Sequence, residues 1–163
     1  MGNIEANLGP QCGVTLNFGL MNARSAVNKA ALIHDVIADY KLDLALITES
    51  WITSDTPKAV RLDIAPAGYR VSHAHRGSSK DKGGGGIAIV HRESVNVFAF
   101  NAENYCEFES ATITLSRVNS SVILVSINRP LGHVSIALCE QLLDLFDKLL
   151  LSRKHYLICR AVQ

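Results

Sequence analysis

The sequence predicts an α/β protein whose sheet mixes parallel and antiparallel strands, and three stretches carry that prediction. Leu44-Ala45-Leu46-Ile47 is a short apolar run bounded by Asp43 and Thr48-Glu49. It is too short for a helix and suits a strand buried on both faces. Segment 29–40 repeats Ile33, Val36, Ile37 and Tyr40 at helical spacing, and before it Val14, Leu16 and Phe18 share one face of a strand over 14–20. Strand, helix and strand in that order make a right-handed crossover unit. Farther on, Ala111, Ile113 and Leu115 alternate with Ser110, Thr112 and Thr114, a half-buried antiparallel pattern over 108–115.

The totals bound the class. A length of 163 residues with 48% apolar content fits one domain, taken as 14–163, behind a loose leader over 1–13 that lacks periodicity. Sixteen Lys and Arg against fifteen Asp and Glu leave a net charge of +1, which excludes a grossly basic tail but leaves room for a local basic patch. Cys12, Cys106, Cys139 and Cys159 form no Cys-x-x-Cys pair. With no secretory leader, they read as reduced thiols of an intracellular chain. No apolar run approaches the roughly twenty residues that span a bilayer, so no membrane partner is expected.

The elements follow in order. Ser25 or Asn28 can cap the helix over 29–40. Segment 53–68 holds two prolines and reads as a connection with one helical turn. Strands are expected over 69–75, 87–91, 95–100, 108–115 and 122–127. Ser135 can cap a last helix whose Leu138, Leu142, Leu145, Phe146 and Leu149 form a stripe, and a final strand covers 156–159.

Several residues could carry chemistry. Glu49 stands just past the carboxyl end of a buried strand, where ligands of open α/β sheets usually sit and where a carboxylate suits magnesium; the plain alternative is a solvated charge. Asn22 ends the preceding strand and reads either as a turn residue or as a donor and acceptor for a phosphate or metal ligand. Arg70, His73, His75, Arg76, Lys80 and Lys82 cluster against a single Asp81, as a phosphate-backbone contact or as a solvated loop. The glycine run 83–86 is no phosphate loop, since no Gly-Lys-Ser/Thr follows and a strand comes next. It reads instead as a tight turn between two strands or a place where another chain approaches closely.

Taken together, the motifs resemble the endonuclease/exonuclease/phosphatase superfamily, and within it the apurinic-type endonuclease domain of LINE-type non-LTR retrotransposons. They are Leu20-Met21-Asn22-Ala23-Arg24-Ser25, then Leu44 to Glu49 with Ser50-Trp51, Gly68-Tyr69 and Arg76. The glycine run with Ile87-Ala88-Ile89-Val90, Phe108-Glu109-Ser110 and Asn128-Arg129-Pro130 complete the set. The resemblance implies the N-terminal portion of a four-layer α/β/β/α sandwich and magnesium-dependent cleavage of a DNA phosphodiester. It further implies Glu49 as metal ligand, Asn22 as a residue orienting the metal and phosphate, and Arg24, Arg76, Lys80 and Lys82 on a DNA-facing rim. Nuclear localisation belongs to the same implication.

Two departures stand out. Asn128 occupies the position of a family tyrosine, and Ala161 occupies that of the Asp in the family's Gly-Asp-Phe-Asn motif. The family's later Ser-Asp-His has no counterpart. The chain is therefore expected to be catalytically incomplete and to offer an uncovered sheet face for self-association. Two other readings stay open: a non-catalytic DNA-binding or interaction remnant, and a phosphoesterase of the same superfamily acting on lipid or inositol phosphates.

Overall fold

The computed structural model describes residues 15–74, 85–117, 120–129, 133–152 and 154–160. The expected leader, together with Arg76, Lys80 and Lys82, lies outside the described residues. One four-stranded sheet holds β1 (Phe18–Asn22), β2 (Leu44–Thr48), β3 (Tyr69–Ala74) and β4 (Ile87–Arg92) in the order β1-β2-β4-β3. A second holds β5 (Val97–Asn104), β6 (Glu109–Arg117), β7 (Ser120–Asn128) and β8 (His155–Arg160) in chain order. The pairs β1/β2 and β7/β8 are parallel and the others antiparallel, so both sheets are mixed.

Each parallel pair needs a crossover, and a helix supplies it. Between β1 and β2 runs α1 (Ala30–Asp39), entered through a 3-10 turn at Val27–Lys29. Ser25 does not cap α1; its hydroxyl meets the Asn28 N–H at 3.4 Å inside that entry turn. The short α2 (Lys58–Leu62) is the helical turn expected in the 53–68 connection. Between β7 and β8 runs α3 (Ile136–Leu151), where Ser135 caps as expected, its Oγ accepting the Leu138 N–H at 3.0 Å. The first strand begins at Phe18, later than the pattern implied. A strand exists only where a neighbour offers backbone, and Asn17 is instead tied to the turn before β2, its N–H donating to Asp43 Oδ2 at 3.0 Å.

Three apolar layers order the molecule as α/β/β/α. Ile33 and Ile37 of α1 pack on Ala45, Ile47, Ala88 and Val90 of the first sheet. Leu44, Leu46 and Ile89 face Ile113, Leu124 and Cys159 between the sheets. Leu138, Leu145 and Leu149 of α3 cover Ile123, Val125 and Ile127. Each fully buried Leu or Ile contributes about 1.5–3 kcal/mol by leaving water. Alternate residues of β2 serve different layers, which explains why all five are buried.

A bare inner face on the first sheet was expected, and this is corrected: β5 to β8 form a second sheet that covers it. Strand patterning specifies which residues share a face but not which sheet a strand joins. The ground for self-association through that face goes with it.

Along the inner faces, side chains turn polar toward one end. β1 reads Phe18, Leu20, Asn22; β2 reads Leu44, Leu46, Thr48; β7 reads Val122, Leu124, Ser126, Asn128. Antiparallel β6, read backwards, gives Leu115, Ile113, Ala111, Glu109. The polar end is where the site lies.

Candidate functional site

Glu49 follows β2, and Asn22 closes β1 opposite Thr48. Beyond the paired strands the two chain segments remain joined: Ala23 N–H donates to Thr48 O at 2.9 Å, Ser25 N–H to Glu49 O at 2.9 Å, and Ala26 N–H to Ser50 O at 2.8 Å. The backbone twists sharply there. Arg24, Ser25, Glu49 and Trp51 have φ of 44°, 88°, 53° and 55°. A non-glycine residue in that region costs on the order of 1–3 kcal/mol, so the surrounding bonds must hold it. Such strain gathers at functional sites.

The Glu49 carboxylate is the hub. Its Oε1 accepts Asn128 Nδ2 at 2.9 Å, and its Oε2 accepts the Gly85 N–H at 2.8 Å and the Trp51 indole Nε1–H at 3.1 Å. A second carboxylate lies beside it. Glu109, 4% exposed at the start of β6, accepts the Gly86 N–H at 2.9 Å and the same Asn128 Nδ2 at 3.1 Å, both on Oε2. The Asn128 amide therefore bridges Glu49 and Glu109.

Gly85 and Gly86, with φ of 82° and 81°, aim successive N–H groups at the two carboxylates. Their carbonyls accept the Trp51 and Ser50 N–H groups at 2.9 and 3.1 Å. This part of the glycine run thus lets the backbone come close to two side-chain anions of the same chain.

Asn22 does two things. Its Oδ1 accepts the Arg24 N–H at 3.2 Å, the turn role, while its Nδ2 is buried without a hydrogen-bond partner among the described residues. The hydroxyls of Thr48 and Ser126, both fully buried, are likewise unpartnered on the same inner faces. Arg24 is exposed at the rim. The structure thus bonds Asn128 to Glu49 and places Asn22 on the adjoining strand end. Arg76, Lys80 and Lys82 lie outside the described residues.

Glu109 was not foreseen as a site residue. A signal existed, because it is the next position on the face shared by Ala111, Ile113 and Leu115, a carboxylate in line with core residues. Magnesium commonly takes one or two protein carboxylates and completes its shell with water and substrate phosphate. The Glu49 and Glu109 pair fits that chemistry in type. No group of three or more His, Cys, Asp or Glu gathers among the described residues, so the fit is to a cation shared with a phosphate.

Similarity to known proteins enters through structure. No protein-family model and no curated protein matches the sequence. Solved structures do match. The human Nocturnin catalytic domain with a bound sulfate anion superposes with a TM-score of 0.61 at 12% identity, over 86% of this chain and 60% of that one. Zebrafish (D. rerio) TDP2 complexed with a single-strand DNA product gives 0.60 at 11% identity, over 89% and 58%. An endonuclease/exonuclease/phosphatase family protein from Bacteroides thetaiotaomicron gives 0.55 at 12% identity, over 88% and 60%. The chain thus has a portion of the fold that these structures share. The chain spans about 60% of the length of these structures.

Proposed function

We propose that this chain carries part of a magnesium-assisted site for cleaving DNA phosphodiesters, of the kind used by LINE-type retrotransposon endonucleases. The observation that carries the reading is the Glu49–Asn128–Glu109 cluster at the polar end of a two-sheet sandwich. The fold, the DNA product held by the TDP2 neighbour and the ordered motifs from Asn22 to Asn128 support it. Among superfamily substrates, the Asn22-Ala23-Arg24-Ser25 segment and the exposed Arg24 favour DNA over lipid or inositol phosphates.

The side chains have distinct tasks. Glu49 and Glu109 would hold the cation, which supplies Lewis-acid polarisation of the phosphodiester. Asn128 keeps the carboxylates together through its two N–H groups. Gly85 and Gly86 fix the carboxylates from the backbone. The buried Asn22 amide has an unused donor to offer a phosphate oxygen or a water. Ala161, at the position of the family Asp, can neither bind a cation nor take a proton, so cleavage by this chain is expected to be weak or absent.

Two carboxylates facing a phosphate repel it unless a cation intervenes. DNA binding should therefore depend on magnesium through Glu49. Fluorescence anisotropy of a labelled DNA oligonucleotide tests this, with and without chelator, for wild type and Glu49→Gln. Magnesium-dependent, salt-sensitive binding that Glu49→Gln loses supports the reading; binding unchanged by chelator and by the substitution refutes it. Robust nicking of supercoiled plasmid that Glu49→Ala abolishes would overturn the expectation of weak cleavage.

A further inference from the structure

Trp51 is the only tryptophan in the chain, and it stands at the rim of the cluster with 44% of its surface exposed. Its backbone sits at φ 55°, a region that bulky side chains enter at a cost. Two bonds fix it there: the Trp51 N–H donates to Gly85 O at 2.9 Å, and the indole Nε1–H donates to Glu49 Oε2 at 3.1 Å. The ring is thus anchored by its edge. The aromatic and cation–π contacts found among the described residues involve Tyr69 and Tyr105, not this indole.

A core indole would be covered, and an idle surface indole would not be tethered at both backbone and ring edge. A half-exposed indole tethered by its edge beside the proposed phosphodiester site has the form of a stacking platform. We propose that Trp51 stacks on an unpaired base of the nucleic-acid strand whose phosphate lies at Glu49. The inference rests on the nucleic-acid reading of that site and names the form of substrate it takes. The base must be unpaired because a base inside a duplex is already stacked on both sides. Stacking is indifferent to base identity, so the contact would add affinity without sequence preference.

The test uses the full chain in magnesium, titrated with a short single-stranded oligonucleotide labelled at one end. Anisotropy of the label reports binding anywhere on the protein, while indole emission reports Trp51 alone. Emission quenched along the same isotherm as the anisotropy supports the proposal. So does a roughly ten-fold loss of affinity in Trp51→Ala that Trp51→Phe largely spares, since phenylalanine keeps a stacking ring and loses only the N–H. Equal quenching by a blunt duplex overturns the unpaired-base assignment. Binding without quenching, at an affinity unchanged in Trp51→Ala, overturns stacking and leaves the nucleic-acid reading intact. No anisotropy change at all overturns both. Circular dichroism checks the folding of Trp51→Ala; if that variant does not fold, wild-type quenching and Trp51→Phe decide.

Discussion

Replacing Asn128 with alanine removes a side chain that donates to both carboxylates, the buried Glu109 and the half-buried Glu49. The acceptor oxygens of Glu49 and Glu109 are no more than 6.0 Å apart, the sum of the 2.9 and 3.1 Å bonds that join them through Nδ2. Two ionised carboxylates at that spacing repel by about 3 kcal/mol at an effective dielectric constant of about 20. A hydrogen bond to a charged acceptor contributes about 1.5–3 kcal/mol. Solvent can compensate Glu49, which is partly exposed, but reaches Glu109 poorly. The expected loss is about 3 kcal/mol, a large share of the 5–15 kcal/mol typical of a domain.

Urea unfolding followed by circular dichroism would read that loss as a midpoint lowered by about 1.5 M, for a slope of about 2 kcal/mol per molar. Asn96→Ala is the control, since its amide serves an exposed bond to Ser116 Oγ at 2.9 Å and should cost under about 0.5 kcal/mol. A double-mutant cycle with Glu109→Gln should show coupling of at least about 1 kcal/mol. An Asn128→Ala variant within about 0.5 kcal/mol of wild type would refute the bridging role.

Three further outcomes are expected. Gly19→Ala should destabilise the fold by about 1–2 kcal/mol in the same urea assay, because its Cβ would lie 2.6 Å from Cδ1 of the buried Leu42 and force that side chain to shift. Burial pushes the Cys159 thiol up, so an alkylating reagent near neutral pH should label the exposed Cys106 and Cys139 but spare Cys159 until denaturant is added, as read by peptide mass spectrometry. Burial, then donation of its hydroxyl to Asp144 at 2.9 Å, pushes Tyr105 up to about 12. Because the folded value is the higher one, its contribution to stability is complete below the ordinary tyrosine range and is lost as pH rises through about 12. An NMR titration of the Tyr105 ring should show this, and Asp144→Asn should bring the value down.

Much of the architecture was legible because local rules and tertiary outcome agree. The Leu44–Thr48 run became a central strand buried on both faces, Ser135 capped α3, and the crossover placed β1 beside β2 in parallel. Hydrophobic period and capping chemistry act over a few residues, so they can be read from the chain alone. The same period put Asn22 and Glu49 at one end of adjoining strands, although it could not say which hydrogen bonds they would make.

Only the tertiary structure decided that the eight strands among the described residues divide into two sheets facing one another, and that Glu49 meets Asn128 from 79 positions away. It alone brought Glu109 beside Glu49, with the Gly85 N–H on Glu49 and the Gly86 N–H on Glu109. Period tells which residues share a face; it carries no information about what that face will meet, because opposing sheets are matched by packing between segments remote in sequence. The elements of this protein were thus determined by its local pattern, and its site by the way two independently patterned sheets close on each other.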